Sequence, residues 1–230
     1  MSGRVAIVSG STSGIGRAVA DRLASDGLTV VGASDDADGA SRVDVSDRAQ
    51  VEAFVERVVA EHGRVDVLCN AAGVKVAGTV LDTDLETWEQ TFAVNVTGVF
   101  LLTKAVLPHM IERRSGVVVN IGSPSGYGGA NHAAYCASKG ALLALGASLA
   151  LDHRADGIRV NTVVPGSTRT GMNRDRPVEV ERELAKSNVA GRINEPEDVA
   201  NAVAYLCSDA AATVSGAVLE VGWLSGQVVE

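Results

Sequence analysis

Apolar residues along this chain fall into two alternating rhythms. Short runs rich in β-branched residues occupy 4–9, 29–33, 41–44, 65–69, 116–121, 158–164 and 217–221. Several, such as VVVNI at 117–121, are apolar without alternation, the pattern of parallel strands covered on both faces. Between them lie stretches with helical spacing of apolar positions: 15–25, 47–62, 84–113, 133–154 and 195–208. The punctuation agrees. Asp26-Gly27, His62-Gly63 and Asp156-Gly157 end helices with a residue free to turn left-handed, and Ser46 with Asp47 offers a cap for a helix start. Strand–helix alternation predicts right-handed crossovers and a Rossmann-type, doubly wound α/β fold, with a parallel sheet of about seven strands between two helix layers. There is one irregularity. Only SDDADGA (34–40) separates the second strand from the third, whereas a parallel crossover normally needs about a dozen residues. The usual helix there is expected to shrink to a turn.

The chain has 230 residues, 46% hydrophobic and 21% charged, which is ample for a buried core. No repeat, linker or compositional break divides it, so 1–230 is expected to form one domain. A net charge of -8 gives no footing for nucleic acid or an anionic membrane surface. Cys69, Cys136 and Cys207 are odd in number, sit in apolar stretches and lack metal-ligand spacing, and the four His share no spacing with acidic or thiol ligands. Neither a disulfide framework nor a metal is expected. No basic, oily leader opens the chain, and its longest oily stretch, 141–151, falls well short of the ~20 residues of a membrane span. The expected setting is cytoplasmic, with no membrane partner.

Chemistry begins after the first strand, where Ser9-Gly10-Ser11-Thr12-Ser13-Gly14-Ile15-Gly16 leads into a helix. Gly10 permits a tight turn, Gly14 lets the backbone approach a pyrophosphate, and Gly16 lets helix and strand pack closely. The free amides and positive end of the helix then face the phosphates. Later, Tyr135 and Lys139 stand four apart on one helix face, behind a Gly-rich loop, with Ser123 twelve residues upstream at a strand end. These elements converge at the carboxyl edge of the sheet, where open α/β sheets bind ligands. Interconverting an alcohol and a carbonyl by hydride transfer requires a proton to move at the same oxygen. Tyr135 can move it if the Lys139 ammonium favours its phenolate.

The glycine spacing GxxxGxG resembles the TGxxxGIG pattern of short-chain dehydrogenases/reductases, with Ser9 in place of Thr. Further matches follow in order: Asp44-Val45, Asn70-Ala71-Ala72-Gly73, Asn95-Val96-Thr97-Gly98, Asn120-Ile121-Gly122-Ser123, Tyr135-Cys136-Ala137-Ser138-Lys139 and the run from Arg159 to Pro165-Gly166. The resemblance spans essentially the whole chain. It implies a nicotinamide cofactor held by Gly10, Ser13, Gly14, Ile15 and Gly16, with Asp44 on the adenine amino group and Val45 against the ring. Asn70, Ala71 and Gly73 would line the cleft, and Pro165, Gly166, Thr168 and Thr170 would complete it, Thr170 against the carboxamide. Ala71 departs from the usual NNAG. By the same resemblance Lys139 also bonds the nicotinamide ribose, Ser123 holds the substrate oxygen, and the Asn95 carbonyl holds a water that relays protons to Lys139. Ser125 is a rival to Ser123.

Cofactor choice turns on the end of the second strand, Gly32-Ala33-Ser34-Asp35-Asp36, where no cation stands near to pair with a 2′-phosphate. Ser13, a base in many NADP-dependent relatives, is neutral too. NAD is therefore favoured over NADP. The family's ribose aspartate aligns with Ser34 by count, so Asp35 is expected to serve through a shifted loop. Substrate choice should lie in a lid at about 166–194, whose Arg169, Arg174 and Arg176 offer either receptors for an anionic group or a solvated face. The helix from Ala133 is apolar nearly all round, with small residues at Ala137, Gly140, Ala144 and Ala147, which predicts a homodimer or homotetramer interface. The closing strand lacks the family's usual Asp-Gly-Gly turn. Together these features point to an NAD-dependent oxidoreductase acting on a secondary alcohol or its ketone. The alternatives are an NADPH-dependent 3-oxoacyl-thioester (acyl-carrier-protein) reductase and, from another class, a non-catalytic cofactor-binding sensor or scaffold.

Overall fold

A computed structural model of the chain describes residues 3–36, 38–173 and 175–223. Six strands form one parallel sheet in the order β2-β1-β3-β4-β5-β6. They are β1 (Val5–Ser9), β2 (Thr29–Ala33), β3 (Val67–Asn70), β4 (Gly116–Ile121), β5 (Ile158–Pro165) and β6 (Val218–Val221). The non-alternating apolar runs have the predicted consequence. Ile7, Leu68, Val118 and Val160 bury one face against Val51 and Phe54 of α2 (Arg48–His62) and Leu102, Val106 and Met110 of α4 (Gly98–Glu112). Their neighbours Ala6, Val8, Val67, Val117 and Val119 bury the other face against Val19 and Leu23 of α1 (Gly14–Ser25) and Val199 and Val203 of α7 (Pro196–Cys207). The remaining helices are α3 (Leu85–Phe92), α5 (Ala133–Asp152) and α6 (Val178–Ala185).

The expected seventh strand at 41–44 does not form. The short crossover leaves room for a single 3₁₀ turn, Gly39–Ser41, after which the chain touches β2 through one parallel bridge, Ser34 to Arg42. Ser34 N–H donates to the Ser41 carbonyl and Val43 N–H to the Ser34 carbonyl, each at 3.0 Å. The chain then turns at once into α2, whose first amides, Ala49 and Gln50, are capped by the Asp47 carboxylate.

The long helical run at 84–113 is interrupted. A π turn, Ala93–Thr97, joins α3 to α4, and such turns often accompany functional sites. Leu85–Glu112 and Ala133–Asp152 are each long and apolar enough to cross a membrane by length and composition, beyond what the oily stretch at 141–151 suggests. Both runs bury polar groups of the site, Asn95 and Lys139. The lid region gains a helix, α6, that the sequence pattern does not announce.

Candidate active site

The carboxyl ends of β1, β3, β4 and β5 open into a cavity of about 730 Å³, within the range of small-molecule sites. Its floor at one end is the Gly-rich turn. Gly10 (φ +65) sits so near the loop after β3 that a Cβ would lie 2.9 Å from the Ala72 backbone, and a Cβ on Gly16 would lie 2.1 Å from the Gly10 carbonyl oxygen. Ser9, in the place of the expected Thr, accepts from the Ala71 and Ala72 amides at 3.0 and 3.1 Å and so ties that loop to β1. No side chain caps the start of α1. Ser13, Gly14, Ile15 and Gly16 all line the cavity, so the helix end presents a cradle that fits a phosphate group.

At the far side of this turn the cavity wall carries Asp35, Asp36, Asp44 and Val45. Among the described residues, no lysine or arginine lines this end. Ser34 is 4% exposed and turned inward, its Oγ 3.4 Å from Ser11 Oγ. Asp36 accepts from Thr12 Oγ1 at 2.6 Å, which leaves Asp35 open to the cavity. Asp44 caps its own loop by accepting from Ser46 N and Oγ at 2.9 and 2.6 Å.

Ala71, Gly73, Pro165, Gly166, Thr168 and Thr170 line the cavity as expected, whereas Asn70 does not. Asn70 ends β3 with its side chain directed beneath the cavity, 1% exposed, donating to Asn120 Oδ1 at 2.9 Å and Thr103 Oγ1 at 3.4 Å. The pleat decides this, because Asn70 and Asn120 are paired in register and share the covered face.

The reacting end is set by the start of α5. The 74–84 segment braces that start: Gly78 N–H donates to the Asn131 carbonyl and Ala133 N–H to the Gly78 carbonyl, each at 2.9 Å. Tyr135, 9% exposed, lies beside the Ser123 hydroxyl, close enough for it to favour the phenolate. Ser123 Oγ in turn accepts from Ser125 N at 3.1 Å. Ser125 thus meets Ser123 through its backbone amide, while the Ser123 hydroxyl stands beside the phenol. Lys139 Nζ is 5.8 Å from the Tyr135 ring centroid and donates to the Ile121 carbonyl at 2.8 Å.

Burial pushes the Tyr135 phenol above its ordinary value, opposed by the neighbouring Ser123 hydroxyl. Burial also lowers Lys139 to about 8. In this arrangement the Lys139 amine donates to the Ile121 carbonyl while lying near the Tyr135 ring.

Asn95 is fully buried in the π turn and does not line the cavity. Its Oδ1 accepts from Val74 N at 2.8 Å, while its Nδ2 donates to the Val74 carbonyl at 2.9 Å and to Ser138 Oγ at 3.0 Å. Ser138 Oγ then donates to the Tyr135 carbonyl at 2.8 Å. The side chain thus clamps the cavity-lining loop to α5. His132 lies outside the cavity lining, with Nδ1 2.9 Å from the Ala130 carbonyl.

The lid arginines divide. Arg169 is held by Glu181 at 3.1 Å and Glu195 at 3.2 Å, away from the main cavity. Arg174 lies outside the described residues, and Arg176 lines the cavity. Two further lining residues carry no signal in the sequence. Lys75 follows the Ala71–Gly73 loop, and Trp223 stacks on Tyr127 with ring centroids 5.6 Å apart. Trp223 is brought there by Gly222 (φ +66), packed so closely on Asn188 and Asn194 that a Cβ would collide with both.

A family model described as Enoyl-(Acyl carrier protein) reductase matches residues 10–222. The chain is 38% identical to meso-2,3-butanediol dehydrogenase of Serratia marcescens, over 95% of this chain and 92% of the relative. It is 35% identical to a 3-oxoacyl-[acyl-carrier-protein] reductase of Escherichia coli, over 95% and 96%. It is 39% identical to cis-4-hydroxycyclohexanecarboxylate dehydrogenase of Sinomonas cyclohexanicum, over 95% and 94%. The solved structure of an aldohexose dehydrogenase from Thermoplasma acidophilum superposes with a TM-score of 0.89 at 31% identity, covering 95% of this chain and 92% of that one.

Proposed function

The chain belongs to the short-chain dehydrogenase/reductase family, whose members bind a nicotinamide cofactor and act on CH–OH groups, and from that premise we propose that it interconverts a secondary alcohol and its ketone with NAD(H). The observation that carries this reading is the grouping of Ser123, Tyr135 and buried Lys139 in the lining of the same cavity that holds the Gly-rich cradle. The nicotinamide, when bound, takes or gives the hydride with its two electrons. Every other requirement falls to this chain's side chains.

Ser123 holds the substrate oxygen and Tyr135 exchanges the hydroxyl proton with it, taking that proton in oxidation and returning it in reduction. A phenol raised by burial needs a nearby cation to ionise. Lys139, charged below about pH 8, supplies that cation once it leaves the Ile121 carbonyl. Asn95 is a positioning residue, and its backbone carbonyl is assigned the proton-relay water. Asp35 is assigned to the ribose hydroxyls. The carboxylates around Ser34, with no cation lining that end, repel a 2′-phosphate and disfavour the NADPH-dependent thioester reductase that the Escherichia coli relative brings to mind.

We also assign the exposed small-residue face of α5 (Ala137, Ala144, Ala147), with neighbouring Leu151, Trp88 and Phe100, to a second copy of the chain, in a cytoplasmic dimer or tetramer. A monomer by light scattering at micromolar concentration refutes that assignment.

The reading is tested by thermal unfolding with NADH and, separately, NADPH. Saturation near 100 Kd adds ~2.7 kcal/mol. Stabilisation by NADH alone supports the Asp35 argument, and stabilisation by NADPH alone overturns it. Tyr135→Phe is expected to abolish turnover while keeping NADH stabilisation; unaltered turnover refutes the mechanism. Cofactor binding without turnover of any alcohol or ketone favours the sensor.

A further inference from the structure

Lys75, in the loop after β3, and Arg176, in the 166–194 segment, both line the cavity. Lys75 Nζ lies 5.7 Å from the Tyr135 ring centroid, on the same ring that Lys139 approaches. Arg176 is partly buried, and its Nη1 is fully buried with no hydrogen-bond partner. Among the described residues, no carboxylate lies within ion-pair distance of either side chain, whereas Arg169, Lys186 and Arg192 each pair with one. The two cations feel one another: burial and then Arg176 lower the Lys75 amine, opposed by the nearby Cys136 thiol.

Two cations gathered without a counter-charge destabilise a fold, so an arrangement that persists calls for an anion from outside. The cofactor pyrophosphate does not fill that need, because its cradle is the Gly14–Gly16 turn, whereas Lys75 stands at the tyrosine. The anion therefore belongs to the substrate.

Resting on the oxidoreductase reading above, we propose that the substrate is a hydroxy acid or oxo acid, its carboxylate held by Lys75 and Arg176 while its carbinol carbon meets Tyr135. The guanidinium fork suits a planar carboxylate, and Nζ so near the Tyr135 ring limits the spacer to a few carbons. Met172, Leu184 and Trp223 supply an apolar wall for that spacer. A neutral acyl thioester leaves both cations unanswered.

The test compares 3-hydroxybutanoate and 4-hydroxypentanoate with their amides in the wild type and in Lys75→Met, Arg176→Gln and Arg176→Lys. In the wild type, kcat/KM is expected to favour the acids at least about tenfold, the equivalent of 1.4 kcal/mol. Lys75→Met and Arg176→Gln are expected to shrink that preference about tenfold, and Arg176→Lys less. Calorimetric titration of 4-oxopentanoate and 4-oxopentanamide into enzyme saturated with NAD⁺, where a ketone is not turned over, gives a second readout independent of catalysis. Preferential binding of the acid, lost in both charge-removing variants, supports the proposal even if no alcohol in the panel reacts, an outcome that counts against the oxidoreductase reading alone. Equal affinities, no binding of the acid, or an acid preference that survives both variants overturns it.

Discussion

Lys139 is expected to be a liability to the fold that it serves. In the cofactor-free protein its Nζ is buried and donates to the Ile121 carbonyl, and burial lowers the amine from 10.5 to about 8. At 1.36 kcal/mol per pH unit, that gap corresponds to a penalty on the order of 3 kcal/mol for charging the folded state. Lys139→Met keeps the unbranched shape and removes the charge, but leaves the Ile121 carbonyl without its donor at a cost of about 1 kcal/mol. The net gain at pH 7 is about 2 kcal/mol, or roughly 4–8 °C in Tm for a chain of this size.

The pH dependence separates this cause from ordinary repacking. Below pH 8 the amine is protonated in both states and the penalty is complete. Between 8 and 10.5 the unfolded chain holds a proton that the folded protein has released, so wild-type stability rises with pH across that window. The variant has no such window. Thermal unfolding of both cofactor-free proteins from pH 6.5 to 9.5, followed by circular dichroism, should show a gap that is widest near neutrality and narrows above pH 8. A gap that is constant with pH, or a variant less stable than wild type at pH 7, refutes the reasoning. Turnover should be lost in the variant throughout, the stability–activity trade expected of a buried functional charge.

Asn95→Ala strands the Val74 N–H and carbonyl, and is expected to cost about 2–4 kcal/mol and to speed amide exchange at Val74. Because it acts by holding the Val74 loop and Ser138, its kcat should fall with it, and Asn95→Asp, which cannot donate, should not restore either. Gly16→Ala places a methyl 2.1 Å from the Gly10 carbonyl oxygen, forcing α1 away from the turn. Overpacking of this kind costs about 1–3 kcal/mol, and NADH affinity by calorimetry should drop at least tenfold. Unchanged affinity would mean that the turn is not the phosphate cradle.

Much of this protein was legible because the relevant signals are local. Non-alternating apolar runs declare strands covered on both faces, and the five helical stretches lie within a few residues of their expected bounds. The glycine spacing and the Tyr135–Lys139 pair place the Gly-rich turn and the phenol–amine pair on one edge of the sheet, since a single turn of helix and a single strand end suffice to position each.

What the sequence left undecided depends on segments far apart along the chain. The run at 41–44 has strand composition, but its seven-residue approach leaves it one bridge instead of a ladder. Asn70 looks like a cleft residue until its register with Asn120 turns it under the sheet. Asn95 carries no mark of the clamp it forms, because Val74 and Ser138 reach it only after the π turn and α5 have packed. Of the lid arginines, pairing of Arg169 with Glu181 and Glu195 removes one, and the fold sets Arg176 with Lys75, 101 positions away in the numbering of the chain. Periodicity and turn chemistry operate over a few residues and so are written in order along the chain. Which charges meet in a cavity is decided by the packing of distant elements, and only the tertiary structure brings Lys75 to Tyr135 and Arg176 into the same cavity.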